Sequence, residues 1–209
     1  MSKVVHTLAD ADRGLAAPRW TPVNVAPAGF RYVPELLTAS EHDALVRALG
    51  TLELRPVLLA GRAARRTVAH FGWEYGYASL HLTPAAAIPM FLWPLRVKAG
   101  ALAGVPSASL EHVLVARYPE RAAIGWHRDP PPFGAVAIGF ALGAPSVLRF
   151  RRTVAGSRQV FRQLLAPRSG YLLAGDARAA WQHALAPASA LRWSITFHTV
   201  RRNAHRVDP

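Results

Sequence analysis

The chain contains no cysteine, which excludes thiolate nucleophiles, thiolate-bound metals and disulfides. Lysine is nearly absent too: of 25 basic residues only Lys3 and Lys98 are lysines, so 23 are arginines. Acidic residues number 12, which leaves a formal charge of +13. No apolar run approaches the roughly 20 residues that a membrane-spanning helix needs. The opening residues lack the apolar core of a secretory signal, so a cytoplasmic protein without membrane contact is expected. At 209 residues and 22.7 kDa the chain suits one domain, and therefore one active site. The arginine excess favours a polyanionic partner, although a composition rich in Arg, Ala and Pro together also arises from a G+C-rich genome.

Residues 1–28 carry scattered prolines and small residues with no period, which predicts a partly disordered surface arm ahead of one domain over 29–209. A helix is expected from Thr38 or Ser40 as cap to Gly50, with Leu45, Val46 and Leu49 at helical spacing. A second is expected over Ile88–Ala103, where Pro89 is harmless early but Pro94 predicts a break or kink midway. After residue 110 the pattern switches to short strands, over Glu111–Tyr118, Ala135–Leu142, Val147–Arg151, Tyr171–Ala174 and Arg192–Val200. Helices followed by turn-separated strands give an α+β layout with a sandwich or barrel of the jelly-roll kind.

The segment Ile124–Pro130 holds His127 and Asp129. On an extended segment, residues two apart point the same way, so the two side chains can share one ligand. His183 adds a third donor 54 residues after Asp129, just before the last strand. Two imidazoles and one carboxylate leave coordination positions open, as iron(II) oxygenases require. A His-x-Asp pair alone is weak, because a lone histidine is more often structural. A further signal is the strand Leu191–Phe197, whose parity sets Arg192, Ser194 and Thr196 on one face and Trp193, Ile195 and Phe197 on the other. An arginine inside a small barrel needs an anion, and the distal carboxylate of 2-oxoglutarate would satisfy it.

On Arg117-Tyr118-Pro119, the His127-x-Asp129 pair, Gly139–Pro145 before Leu148-Arg149-Phe150, His183 and Arg192-x-Ser194-x-Thr196-Phe197, the chain resembles the AlkB-like dioxygenases over roughly residues 30–200. The resemblance implies a double-stranded β-helix core with N-terminal helices and a nucleotide-recognition lid. It also implies iron(II) on His127, Asp129 and His183, and 2-oxoglutarate held by a Tyr118 hydroxyl and an Arg192 salt bridge in a pocket shared with Ser194, Thr196 and His198. The activity implied is oxidative demethylation of DNA or RNA bases; a monomer is expected. The two ligating imidazoles are expected to be held through their second ring nitrogens.

Three positions depart from the family pattern. Ala116 stands where an asparagine is frequent, Ser194 replaces the asparagine of Arg-x-Asn, and His198 replaces the arginine of Thr-Phe-Arg, putting a shorter, titratable base where a fixed cation is usual. Within Gly61–Tyr77, Arg62, Arg65 and Arg66 interleave with Phe71, Trp73, Tyr75 and Tyr77. In the resembled family this region, 61–80 here, is the lid, with arginines on phosphates and Trp73 and Tyr75 near the base. Arg149 is counted with them as substrate-binding. The same alternation also fits a plain hairpin strand with one face packed inward. Pro131 stands where some repair members carry a base-contacting acid. Oxidation of a protein side chain, and nucleic-acid binding without turnover, stay open beside base demethylation.

Overall fold

The computed structural model describes residues 21–59, 62–76 and 79–201. The expected N-terminal arm therefore lies outside the described residues as far as residue 20, as does Tyr77. In chain order the strands are β1 (Thr21–Pro22), β2 (Phe30–Val33), β3 (Arg55–Leu59), β4 (Arg62–Phe71), β5 (Trp73–Tyr75), β6 (Leu82–Pro84) and β7 (His112–Tyr118). They continue with β8 (Ile124–His127), β9 (Phe133–Gly143), β10 (Ser146–Val154), β11 (Ser157–Leu165), β12 (Gly170–Leu173), β13 (Gln182–Leu185) and β14 (Arg192–Val200). The helices are α1 (Ala39–Leu49), α2 (Trp93–Ala103) and α3 (Gly175–Ala179).

A seven-stranded sheet, ordered β2-β12-β9-β14-β7-β4-β3, faces a five-stranded sheet, ordered β1-β11-β10-β13-β8, and β5-β6 form a small hairpin of their own. This is the expected jelly roll with helices ahead of most of it. Strand alternation splits the core in two. The outer face of the large sheet packs Val113, Val115, Trp193, Ile195 and Phe197 against Leu45, Leu49, Leu95 and Leu102 of α1 and α2. Its inner face meets Leu148, Phe150, Trp181 and Leu185 of the opposing layer. Each fully buried side chain of this kind contributes roughly 1.5–3 kcal/mol. The expected parity of β14 holds, since Trp193, Ile195 and Phe197 are buried under the helices while Arg192, Ser194, Thr196 and His198 face inward.

The first helix starts as its sequence predicts: Thr38 Oγ1 accepts from Glu41 N at 3.2 Å, and Thr38 N donates to Glu41 Oε2 at 2.9 Å. Lys98 of α2 reaches Glu41 at 3.0 Å and ties the helices together. The second helix differs from expectation. Met90–Leu92 is a 3₁₀ turn, and the α-helix begins at Trp93 with Pro94 in its first turn, where the missing N–H has no partner to lose; there is no kink midway. Strand β11 lies outside the expected set of strands, because Arg-Gln pairs interrupt its apolar residues and much of it is solvent-facing. Among the described residues no helix is long and apolar enough to cross a membrane.

Candidate metal and cofactor site

His127 ends β8, Asp129 lies in the bend that follows, and His183 sits opposite His127 on β13. The register is set by Phe150, fully buried on β10, which pairs with His183 from the other side. One ligand atom from each of the three lies within 4.8 Å of the others, close enough to converge on one ion. His127 Nδ1 is 2.8 Å from the Gly125 carbonyl. A carbonyl only accepts, so Nδ1 carries the hydrogen and Nε2 is bare to ligate. The expected support thus exists for His127 but not for His183, whose buried Nδ1 has no partner among the described residues. Burial first, then the charge of His183, pushes the His127 pKa down to about 4, which keeps the ring neutral and metal-ready.

Asp129 faces Arg178, His183 and His198. Burial alone would raise its pKa, but the hydrogen bonds and charges of His183 and His198 outweigh that and hold it well below the usual carboxylate range. Its Oδ1 is 3.5 Å from His183 Nε2. Its other oxygen, Oδ2, is 3.4 Å from Arg178 Nε and 3.8 Å from His198 Nε2. The Arg178 contact is an ion pair by distance without an aligned hydrogen bond. His198 continues into a chain of imidazoles across three strands: its Nδ1 is 3.0 Å from His112 Nδ1, and His112 Nε2 is 3.1 Å from His70 Nδ1. Phe133 stacks on both His112 and His198, at 4.4 and 4.6 Å between ring centres. Burial first, then the neighbouring imidazole charges, holds His112 well below the usual histidine pKa.

The far end of β14 carries Arg192, opposite Tyr118 on β7 and Gly143 on β9. It is wholly buried, yet none of its three guanidinium nitrogens has a partner among the described residues. The Tyr118 ring lies 5.3 Å from its Cζ. A buried, unpaired cation costs several kcal/mol, so this one fits an incoming anion, and its planar fork matches a carboxylate. Tyr171 on β12 adds a second phenol. Burial pushes its pKa up to about 12, though the Arg192 charge pulls the other way, and Ser194 lies within hydrogen-bonding reach. Tyr171 therefore stays a neutral donor. It occupies the space over Gly139, where a Cβ would overlap its ring. Gly139→Ala is accordingly expected to displace Tyr171 and weaken 2-oxoglutarate binding by about tenfold, ~1.4 kcal/mol, in calorimetry on a manganese-loaded form, with an unchanged far-ultraviolet spectrum.

His198 stands six residues from Arg192, about 20 Å along the strand at ~3.3 Å per residue, so it belongs to the metal end of the chamber. Thr196 lies between them, half-buried opposite Gly139. Strand parity also sorts the lid candidates. On β4, Arg66, Val68 and His70 face the chamber while Arg65 is exposed. Tyr75 is buried with Leu82 and Phe133, and Trp73 packs against the same cluster, so the β5-β6 hairpin sits on the phenyl ring that covers His112 and His198. Arg149 lies on the outer face of β10, 5.2 Å from the Trp126 ring centre that Arg151 also approaches at 4.6 Å. It is not brought to the metal residues, because its neighbours Leu148 and Phe150 take the inward positions. Sequence reasoning missed Arg178, Tyr171 and His112. Parity from Tyr118 along β7 would have placed His112 in the chamber; Arg178 carried no mark among so many arginines.

The chain matches the model of the 2OG-Fe(II) oxygenase superfamily over residues 29–207. It is 24% identical over 203 residues to an Arabidopsis thaliana protein named alkylated DNA repair protein ALKBH8 homolog, a match covering 86% of this chain and 56% of that one. The chain thus spans little more than half the length of that curated relative. Among solved structures, OsALKBH1 superposes with a TM-score of 0.64 at 15% identity, over 84% of this chain and 98% of its own. A 2OG-Fe(II) oxygenase family oxidoreductase from Burkholderia pseudomallei gives 0.57 at 16%, over 84% and 86%. A Pseudomonas putida prolyl-4-hydroxylase gives 0.56 at 18%, over 83% and 93%. These likenesses carry the fold. The sequence match runs from just before β2 to beyond β14, so that the histidines, Asp129 and Arg192 all fall inside it, and the chain belongs to the 2OG-Fe(II) oxygenase superfamily, with its likeness to the AlkB-like members.

Proposed function

We propose that this protein removes alkyl groups from nucleic-acid bases by oxidation, with iron(II) on His127, Asp129 and His183 and with 2-oxoglutarate against Arg192, Tyr118, Ser194 and Thr196. Membership of the superfamily makes the chain a 2-oxoglutarate-dependent dioxygenase with those two cofactors. The chemistry of the donors fits them: hard and borderline ligands with open positions for iron, and an unpaired buried guanidinium for a dicarboxylate. The observation that carries the choice of nucleic acid is the basic strand beside the metal, with Arg66 turned inward and Arg65 outward on β4, in a chain of charge +13. The name of the Arabidopsis relative supports the same reading. The fold by itself does not select a substrate, since a prolyl-4-hydroxylase shares it. Oxidation of a protein side chain is therefore the second reading. A binding module without turnover would have no use for a metal-ligand cluster.

Iron(II) held by His127, Asp129 and His183 would supply the oxidation when bound, with 2-oxoglutarate and dioxygen giving succinate and carbon dioxide as an N-alkyl carbon is hydroxylated and then lost as an aldehyde. The side chains hold the geometry. Gly125 fixes the His127 tautomer, Arg178 and His198 lie 3.4 and 3.8 Å from the second oxygen of Asp129, and the buried Phe150 ring lies 6.4 Å from His183 between ring centres. Arg192 would neutralise the far carboxylate, with Tyr171 and Ser194 as neutral hydrogen-bonding groups near its guanidinium. The test is succinate release by iron-loaded protein given single-stranded oligonucleotides with and without N-methylated bases. Stimulation by the methylated strand is expected; stimulation by peptides alone would replace this reading with the second.

A further inference from the structure

Three imidazoles lie in a row on the inner face of the large sheet, and only the last of them meets a metal ligand. His198 pairs with His112 across β14 and β7, and His70 on β4 sits diagonally, opposite Leu114. These strands are neighbours in the sheet, so one inward position on each makes the row. His112 is fully buried and His198 nearly so. A ring nitrogen taken out of water needs a partner, and for His112 both partners are imidazoles, His198 at 3.0 Å and His70 at 3.1 Å. Phe133 lies nearly flat on His112 and His198, with interplanar angles of 24° and 20°, which opposes tilting of either ring.

The two oxygens of Asp129 have different surroundings. Oδ1 is 3.5 Å from His183 Nε2 and 3.9 Å from His127 Nε2, the two ligating imidazoles. Oδ2 is approached instead by Arg178 Nε at 3.4 Å and His198 Nε2 at 3.8 Å. A carboxylate only accepts, so His198 Nε2 meets it favourably only with a hydrogen attached. In a neutral ring Nδ1 of His198 is then bare and accepts from His112 Nδ1. His112 Nε2, bare in turn, accepts from His70 Nδ1. With three neutral rings no other assignment satisfies every contact. Burial, ahead of any charge nearby, lowers the pKa of His70 and of His112 and so favours the neutral rings.

We propose that His112 is a positioning residue for the metal site: it holds the His198 ring so that the Nε2 hydrogen stays on Asp129 Oδ2, leaving Oδ1 as the oxygen offered to the metal. The proposal rests on the metal assignment above and is independent of the substrate. An arginine at position 198 would bring its own fixed hydrogens. A neutral imidazole carries one, and the nitrogen that bears it is set by the bond the other nitrogen makes. His112 makes that bond for His198, and His70 makes it for His112. His112 therefore acts only through His198.

The full chain, free of metal and with labelled histidine nitrogens, reports the hydrogens directly in long-range proton–nitrogen spectra. Hydrogen is expected on Nε2 of His198 and on Nδ1 of His112 and His70; any other placement on these rings would overturn the proposal. Manganese(II) binding, counted from the paramagnetic resonance of the free ion, reads the consequence. His112→Phe keeps a ring against Phe133 and removes both nitrogens. His198 should then divide between its two tautomers, and manganese(II) affinity should fall about tenfold, the low end for losing a group that supports a ligand. His112→Gln, whose amide both donates and accepts, should keep His198 in one tautomer and stay within about threefold of wild type. His70→Leu, at the half-buried end of the row, guards against a folding defect at the buried position; it should loosen both tautomers and weaken manganese(II) less than His112→Phe does. A His112→Phe protein, or His70→Leu where the former does not fold, that keeps His198 in one tautomer and binds manganese(II) as wild type does would overturn the proposal. If wild type bound no manganese(II), the metal assignment would fail by itself, and the tautomers of the metal-free chain would still decide what His112 does to His198.

Discussion

Asp129→Ala is expected to abolish turnover and iron binding together. The carboxylate is the only anionic donor in the cluster, so its loss removes a ligand and the charge that holds a divalent cation. Losing a residue that merely supports a ligand typically costs 10–100-fold in metal affinity, and losing the ligand should cost more. A second effect separates this site from an ordinary surface acid. Arg178 is 8% exposed and 3.4 Å from the carboxylate, and His198 is 3.8 Å away. Without the acid Arg178 keeps its place and loses its counter-charge, so the metal-free variant should also unfold more easily, by about 3–5 kcal/mol as for a buried pair that loses one partner. Asp129→Asn preserves shape and one acceptor, and should lie between. An alanine variant that turns over normally and melts with wild type would remove Asp129 from the site.

Arg192→Met is expected to move two measurements in opposite directions. Binding of 2-oxoglutarate should fall by at least about a hundredfold, ~2.7 kcal/mol, because the far carboxylate loses its charged partner in a fully buried setting. The protein without cofactor should become more stable, since a buried guanidinium whose three nitrogens have no partner among the described residues is replaced by an apolar chain of similar length. Chemical denaturation with and without saturating 2-oxoglutarate reads both. In wild type the cofactor should stabilise strongly, and in the variant hardly at all. A variant that loses stability without cofactor would mean that Arg192 holds the fold by itself.

The sequence made the inner face of β14 legible because its alternation is strict: Trp193, Ile195 and Phe197 carry the core, so Arg192, Ser194, Thr196 and His198 had to face the chamber. The metal donors were legible because types and spacing restrict them. Elsewhere a competing factor won. Pro94 reads as a breaker by position in the apolar run, but the helix starts later than that run does. Arg149 follows the family pattern in sequence, yet the two hydrophobic neighbours that face inward turn it outward onto Trp126. Tyr171 sits in Gly170–Leu173, which reads as a plain buried strand; only its pairing with Gly139 shows that a side chain was omitted there to admit the phenol. The imidazole chain of His198, His112 and His70 joins three strands far apart in sequence, and only the sheet order brings them together.

One iron(II) on His127, Asp129 and His183 is expected to share its chamber with a 2-oxoglutarate anchored by Arg192. Anaerobic titration of 2-oxoglutarate into iron(II)-loaded protein, followed by visible absorption, tests it most directly, because a keto acid chelated to iron(II) produces a charge-transfer band that neither partner shows alone. The band is expected to saturate at one equivalent per chain in wild type, to need much more 2-oxoglutarate in Arg192→Met and to be absent in Asp129→Ala. Wild-type protein that binds iron(II) but develops no band at any concentration of 2-oxoglutarate would contradict it.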